Sequence, residues 1–505
     1  MPSLVTNKFR IHIAEQFKEM LGEASASVVY MFIGKIQAWA DDNNPPTPQD
    51  AVANNQFGHW NDMIAMKRTQ STDISHVVNR NDWTTGTMYT EYQHINGDLH
   101  SNTFFVMTDD YQVYKCLYNN NGGFSTTKPT GTANTIITTA DGYKWKFMYT
   151  VSAADAVKFV TGSYIPVTTL TSDDSTVQWD IQQSAVNGSI DVVDVVAGGS
   201  TFNNYSTGTL VTVTNTSVQV LAAGASATND VYSGSVLYLT GGTGSGQQSE
   251  ISNYVGSTRT VTLVSAFDTL PDTSTTYSVA PKALIAGDGT GAMAIATMNS
   301  TSNTVYSITV TNAGINYTTS TVTLSANGLS SATANAYIGP RGGHGSDPIE
   351  ELGGYNVMLN TKFDKAESDV FTTSNDFRKI GILVDPLFAN GDPATTSTFD
   401  MSTNLTIINP TGSFVADELV TGGTSGATGY LIDANSTKVR LTSVSPTAFS
   451  VAETITGAGG ATGNVTIANT GSLMKYSGDI IYVEQRSPVS RATDQIEDVK
   501  IVIQM

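Results

Sequence analysis

One cysteine, Cys116, occurs in 505 residues, so an internal disulfide is excluded and nothing points to an oxidising compartment. Basic residues are also few: 25 Lys and Arg stand against 44 Asp and Glu, a formal net charge of −19. Nucleic-acid affinity comes from clustered Lys and Arg on phosphates, so this balance argues against a nucleic-acid partner and favours solubility and a basic partner. No run of about 18 apolar residues occurs, and the start "MPSLVTNKFR" lacks the apolar stretch of a signal peptide. The expectation is a chain that neither follows a secretory signal nor spans a membrane. Histidine is scarce, at His12, His59, His76, His94, His100 and His344, and no pair has the spacing of a zinc site. Long stretches lack the helix formers Glu, Lys and Leu.

Glycine is plentiful, at 45 residues, with abundant Thr and Ser and only 14% charged residues. The reading is a mainly β, multidomain chain: a small α/β N-terminal part, antiparallel β-sandwich or barrel domains, and inserted β modules. The length suits roughly three or four domains. The one clear amphipathic helix is expected over 6–22, where Phe9, Ile13, Phe17, Met20 and Leu21 recur at helical spacing. Thr6 or Asn7 is placed to cap it and Gly22 to end it. "SVVYMFIGK" follows as a buried strand, "DDNNPPTPQD" as a loop, and strand-and-turn patterns fill 75–170.

Near residue 185 the aromatic and charged residues thin out, and they return at "GPRGGHGSDPIEELGG". A second Thr/Gly-rich tract runs from about 395 to 470. These shifts divide the chain into a core (1–189, 341–398 and 471–505) and two inserted modules (190–340 and 399–470). Both modules repeat internally. "FVADELVTGGTSGATGYLI" (414–432) matches "FSVAETITGAGGATGNVTI" (449–467) at an offset of 35 residues, placing Phe414 on Phe449 and Glu418 on Glu453. "VVAGGSTFNNY" (195–205) resembles "VTNAGINY" (310–317).

The stretch "GGTGSGQQS" (241–249) comes close to a phosphate-binding loop, but Gln247 stands in place of the lysine and Gln248 in place of the Mg²⁺-binding hydroxyl. A strand pattern follows where a helix is required. Its relatives "TGGTSGATG" and "TGAGGATG" mark it as a hairpin turn whose glycines supply positive φ. Cys116 reads as a small core residue. His94 and His100 near Asp98 read as a polar loop, and His344, Ser346 and Asp347 as a loop re-entering the core, because catalytic triads are assembled from distant segments. Asp109–Asp110, Asp173–Asp174 and Glu350–Glu351 read as solvated surface, since neighbours on a strand point to opposite faces and cannot flank one bond. "DANSTK" lacks the bidentate glutamate of a calcium loop. The reading therefore assigns no catalytic, cofactor-binding or metal-ligating residue.

The segments "VTNKFR", "FIGKIQAW" with "PPTP", "VVNRNDWTTGTMYTEY", "VYKCL", "ADGYKWKFMYTV" and "SGDIIYVEQRSPVSRATDQIEDVKIVIQM" occur in the order found in the baseplate wedge family of T4-type contractile-tailed phages, the gene 8 product family. The last block is the most specific, combining Gly478, Asp479, Ile481, Tyr482, Glu484, Arg486, Pro488, Asp494 and Gln495. The chain resembles that family over a little over half its length, the first 185 residues, 346–395 and 471–505. The resemblance implies a structural virion protein of the tail baseplate, assembled in the host cytoplasm. It also implies a homodimer that joins other wedge subunits, with no catalytic residues. The two Thr/Gly-rich modules depart from the family pattern. The alternative is a tail adhesin or carbohydrate-binding module carried by the insertions, which would need exposed aromatics such as Phe202, Tyr205, Tyr254 and Tyr317.

Overall fold

The structure, a computed structural model, describes residues 4–21, 27–49, 55–200, 202–299, 301–367, 370–469, 471–492 and 494–505. It is mainly β, with antiparallel sheets, a closed barrel and a few short helices. The chain forms two compact units: one takes in the chain up to Val78, Ala154–Pro166 and everything from Gly354 onward, the other Asn79–Ala153 and Val167–Gly353.

The first unit is built on two sheets. One has the order Thr398–Asp400, Met63–Arg68, Val29–Gly34, Phe377–Val384, Asp479–Val489. The other runs Ile496–Gln504, Asn356–Asp364, Ile74–Asn79, Tyr164–Val167. Alternation along Val29–Gly34 explains why the strand sits in the middle: successive side chains point to opposite faces. Val29, Met31 and Ile33 pack with Ile380, Ile382, Val357, Leu359, Phe363 and Ile501 between the sheets. Tyr30 and Phe32 pack on the other face with Trp60, Met66 and Phe399. Ile501 is buried, with Val499 and Ile503 packed beside it.

One expectation for this unit is corrected. The helix spans Asn7–Glu19 and is capped by the Thr6 hydroxyl, which accepts from Phe9 N at 3.3 Å. Its buried residues are Ile11 and Ala14, with Phe17, Met20 and Leu21 against the core, while Phe9 and Ile13 are exposed. The helix therefore lies rotated from its most apolar stripe. Gly22 lies outside the described residues. Pro488 lies inside its strand, which continues to Val489. The ladder shifts register between Lys379↔Gln485 and Phe377↔Val489, so that Arg486, Ser487 and Pro488 stand opposite Arg378 alone. A bulge on an edge strand is where a proline without a donor is tolerated.

The stretch 1–189 is not one piece. Phe105–Met107, Gln112–Tyr118, Lys144–Thr150 and Ile137–Thr138 form a separate four-stranded sheet in the second unit. Its core is aromatic, with Tyr89, Tyr114, Tyr143, Trp145 and Phe147 around Cys116. Each such ring buries a large apolar area, enough to hold a small sheet together without disulfides.

The Thr/Gly-rich tracts form rings of strands. In the first unit, Thr403–Thr411, Leu419–Gly422, Thr428–Ala434, Lys438–Thr442, Thr454–Gly457 and Thr462–Asn469 close into a barrel. Around the ring the strands run first, fourth, third, second, fifth, sixth. In the second unit, Ile190–Gly198, Lys282–Gly287, Thr290–Met298, Val305–Ile315, Ser320–Ser325 and Ala332–Ile338 follow the same neighbour order, with the fifth and sixth strands at the seam. Between the first and second of these lies, in sequence, another ring. Its strands Ser206–Thr209 and Thr212–Asn215 are two halves of one stretch, pairing with Thr276–Ala280 and Val218–Val220 respectively. Val236–Gly241, Gln248–Val255 and Thr260–Leu263 complete the circuit in the same cyclic order, with the closing strand moved to the front. The tract 190–340 is thus two rings, one nested in the other, where one module was expected.

The internal repeats are two-fold pseudosymmetry within a ring. In the barrel, Thr421 pairs with Thr456 across Leu419–Gly422 and Thr454–Gly457, and these are equivalent residues at the 35-residue offset. The dyad passes between them. Val193 likewise pairs with Ile308, at the same offset that places Val195 on Val310 and Gly199 on Gly314. Each barrel repeat also lends its glutamate to the other. Glu418 accepts from Val415 N (2.8 Å) and from Gly459 N (2.7 Å) of the second repeat. Glu453 accepts from Ser450 N (2.6 Å) and, in the first repeat, from Thr424 N (3.1 Å), Ser425 N (2.9 Å) and Ser425 Oγ (2.9 Å).

Candidate functional site

The loop 241–249 joins Val236–Gly241 to Gln248–Val255 as a hairpin, with Gly242, Gly244 and Gly246 at φ +77, +79 and +92. Gln247 is spent inside the turn: its Nε2 donates to Thr269 O (3.0 Å) and its Oε1 accepts from Thr269 N (2.9 Å). The other candidates separate in space. His94 Nδ1 meets Ile338 N at 3.2 Å, and His100 Nε2 lies 3.2 Å from Glu351 O. Asp109 and Asp110 both reach Lys128, at 2.5 and 3.3 Å, because they sit in a turn and not on a strand. Asp173 and Asp174 accept from Ser175 N and Thr176 N in their own loop. Asn435 of "DANSTK" accepts from Thr437 N and Lys438 N in a turn, while Asp433 pairs with Arg440. Phe202, Tyr254 and Tyr317 are buried, and Tyr205 points its hydroxyl at Asn303 (3.3 Å).

The reading of Glu350–Glu351 as surface is overturned for Glu351, which is 6% exposed. The pair lies on the short helix Pro348–Leu352, which turns the two side chains to different sides. Asp347 caps that helix, accepting from Glu350 N at 3.1 Å. Glu351 forms a buried ion pair with Lys115 and accepts from Gly345 N (2.8 Å) and Asp347 N (3.2 Å). Burial raises the Glu351 carboxyl above its usual range against the pull of Lys115, and burial lowers Lys115 against the pull of Glu351. Lys115 Nζ also lies 5.0 Å from the centroid of the Tyr92 ring.

His344, Ser346 and Asp347 take separate roles. Ser346 Oγ donates to Gly343 O at 2.9 Å, and Asp347 is the helix cap. His344 is buried edge-on against Tyr92, centroids 4.7 Å apart, with Nε2 3.9 Å from Asp191 Oδ2. Burial, then Lys115 and Lys146, hold its pKa well below the ordinary range, so the ring is neutral at pH 7. The loop lies flush because of its glycines. At Gly345 (φ +94) a Cβ would come within 2.6 Å of Ile181, and at Gly343 (φ +100) within 2.5 Å of Val186 O.

Here Gln112–Tyr118, Lys144–Thr150, the start of Ile190–Gly198 and the 341–347 loop border a half-open cavity of about 300 Å³, lined by Lys146, Ser189, Asp191, Asn134 and His344 among others. Ser189 Oγ donates to Asp191 Oδ2 (2.6 Å). Nucleophilic relay needs the histidine between serine and carboxylate, and here the carboxylate stands between the other two. The arrangement is a charge-lined recess without an activated nucleophile. A second cavity of about 280 Å³ in the first unit is lined by Trp60, Asp400, Leu441, Ser443, Phe449, Leu473 and neighbours. Among the described residues no three His, Cys, Asp or Glu side chains converge.

Sequence reasoning missed Lys115, Lys146 and Asp191. The available signal was a lysine inside the wholly apolar strands "VYKCLY" and "YKWKFMY". No protein-family model matches the chain, and no curated protein matches it.

Proposed function

We propose that the chain is a structural subunit of the baseplate wedge of a contractile-tailed phage, working in the virion as a homodimer that joins other wedge subunits. The observation that carries this reading is where the rings begin and end. They occupy 190–338 and 403–469, and every segment behind the family resemblance lies outside them. Those segments build the two-sheet body of the first unit and the aromatic sheet of the second. The rings are then additions to a wedge-type framework, placed where surface insertion is tolerated.

Assembly contacts of such a subunit suit the open edge of Asp479–Val489. This strand pairs with Phe377–Val384 on one side, and the sheet order ends there. An open edge of that length is a template for strand addition by another chain. The test is co-expression with the tail proteins encoded beside it, followed by chromatography with light scattering. The expected result is a dimer alone and a stable complex with at least one neighbour. A chain that stays monomeric across the micromolar range and co-elutes with none of them refutes the proposal.

A further inference from the structure

Lys115 and Lys146 stand directly opposite each other across Gln112–Tyr118 and Lys144–Thr150. Like charges at opposed positions repel, and these two are 0% and 6% exposed. Glu351 neutralises Lys115. Lys146 is different: its Nζ donates to the Asn134 carbonyl at 2.5 Å, and among the described residues it forms no ion pair, Asp191 and Glu351 acting on it only from beyond ion-pairing distance while burial works against its charge. A buried cation is costly unless an anion accompanies it.

Lys146 borders the cavity of about 300 Å³, which has the lower size of a small-ligand pocket and suits a single sugar ring better than a nucleotide. The remaining polar wall is specific. His344, 6% exposed, leaves Nδ1 without a partner among the described residues. Asp191 accepts Ser189 Oγ on Oδ2 and keeps acceptor capacity on its other oxygen.

We propose that this cavity binds a small hydroxylated monocarboxylate on the scale of a hexuronate, its carboxylate on Lys146 and its ring hydroxyls on Asp191 and His344. A neutral sugar would leave Lys146 without an anion at hydrogen-bond distance. A phosphate dianion would set a second negative charge against Asp191, whose carboxylate calls for a hydroxyl donor. The ligand chemistry is the same whether the acid is free or is one residue of an acidic polysaccharide. The proposal stands independently of the wedge reading.

The test is calorimetry and ligand-observed NMR on the full chain with galacturonate, trigalacturonate, galactose and inorganic phosphate. Galacturonate or its trimer is expected to saturate at about 1 mM or below, with galactose at least about tenfold weaker. Lys146→Met should weaken the acid about tenfold, and Asp191→Asn should erase its preference over acetate, which has no hydroxyl. A tighter trimer identifies a polysaccharide source, and an excluded trimer a free sugar acid. Should Lys146→Met fail to fold, the His344 ring proton of the wild-type chain still reports the site, and it should shift on saturation. The proposal is overturned by no saturation up to about 10 mM, by galactose or phosphate binding as well as galacturonate, or by binding that leaves His344 unmoved.

Discussion

Glu418 and Glu453 occupy equivalent positions in the two barrel repeats, so the barrel contains its own control. Replacing Glu453 by alanine strips the acceptor from three backbone amides, Thr424, Ser425 and Ser450, and from the Ser425 hydroxyl, at a side chain 2% exposed. Hydrogen bonds to a charged group are worth about 1.5–3 kcal/mol, but water can reach parts of the emptied loop, so the expected loss is ~3–4 kcal/mol. Glu418 serves two amides, Val415 and Gly459, and is half-buried, so Glu418→Ala should cost ~1–2 kcal/mol. Native-state hydrogen exchange reads this locally, which matters in a chain of several folding units. Amides of Leu419–Gly422 and Thr454–Gly457 should exchange a few hundredfold faster in Glu453→Ala, against about tenfold in Glu418→Ala. The pH dependence has a definite sign. Burial works to raise the Glu453 carboxyl, but the donors from Ser425, Ser450 and Thr424 together hold it below its usual value. Its contribution is therefore complete above the unfolded glutamate value of about 4.3 and is lost as pH falls through the depressed folded value. Equal losses in the two variants, or a barrel whose exchange ignores acid until the whole chain unfolds, would refute the reciprocal-cap account.

Three further outcomes are expected. Glu351→Gln strands Lys115 as a buried charge and should cost ~3–5 kcal/mol in the second unit, whereas Lys115→Met with Glu351→Leu should recover most of it; a double replacement as damaging as the single would show the pair is not coupled. Gly381→Ala in the interior strand Phe377–Val384 would set a Cβ 2.6 Å from Tyr482 O and closer still to the Phe32 ring, so the expected loss is ~3 kcal/mol or more, and a thermal scan matching wild type counts against that packing. Deleting 471–505 removes the strand beside Phe377–Val384 and the strand beside Asn356–Asp364, and a soluble product that still melts cooperatively would show these sheets stand without them.

What the sequence showed depended on whether a signal was periodic within one element. Val499, Ile501 and Ile503 alternate, and their strand packs as that alternation demands. The 35-residue match was visible because glycine and glutamate hold fixed posts in it: Gly422 and Gly457 each leave room for the carboxylate of the opposite repeat, where a Cβ would come within 2.7 and 2.6 Å of it. The strands Thr403–Thr411 and Lys438–Thr442, which complete the two repeats, escaped notice because a barrel wall asks only for an apolar residue at every second place. The ring 206–280 showed only its glycine turn, since it has no second copy to reveal its period and its closing strand comes first. The buried charges were hidden for a different reason. A lysine in a strand reads as solvent-facing on the assumption that the strand is half exposed, yet Gln112–Tyr118 is covered on both faces. What buries Lys115 lies 236 residues further along the chain, on a helix of five residues. No local pattern can announce a partner at that distance. The two lysines are therefore legible only together with the sheet register that sets them opposite each other, and it is that register, more than either residue alone, that leaves Lys146 at the cavity without an ion-pair partner of its own.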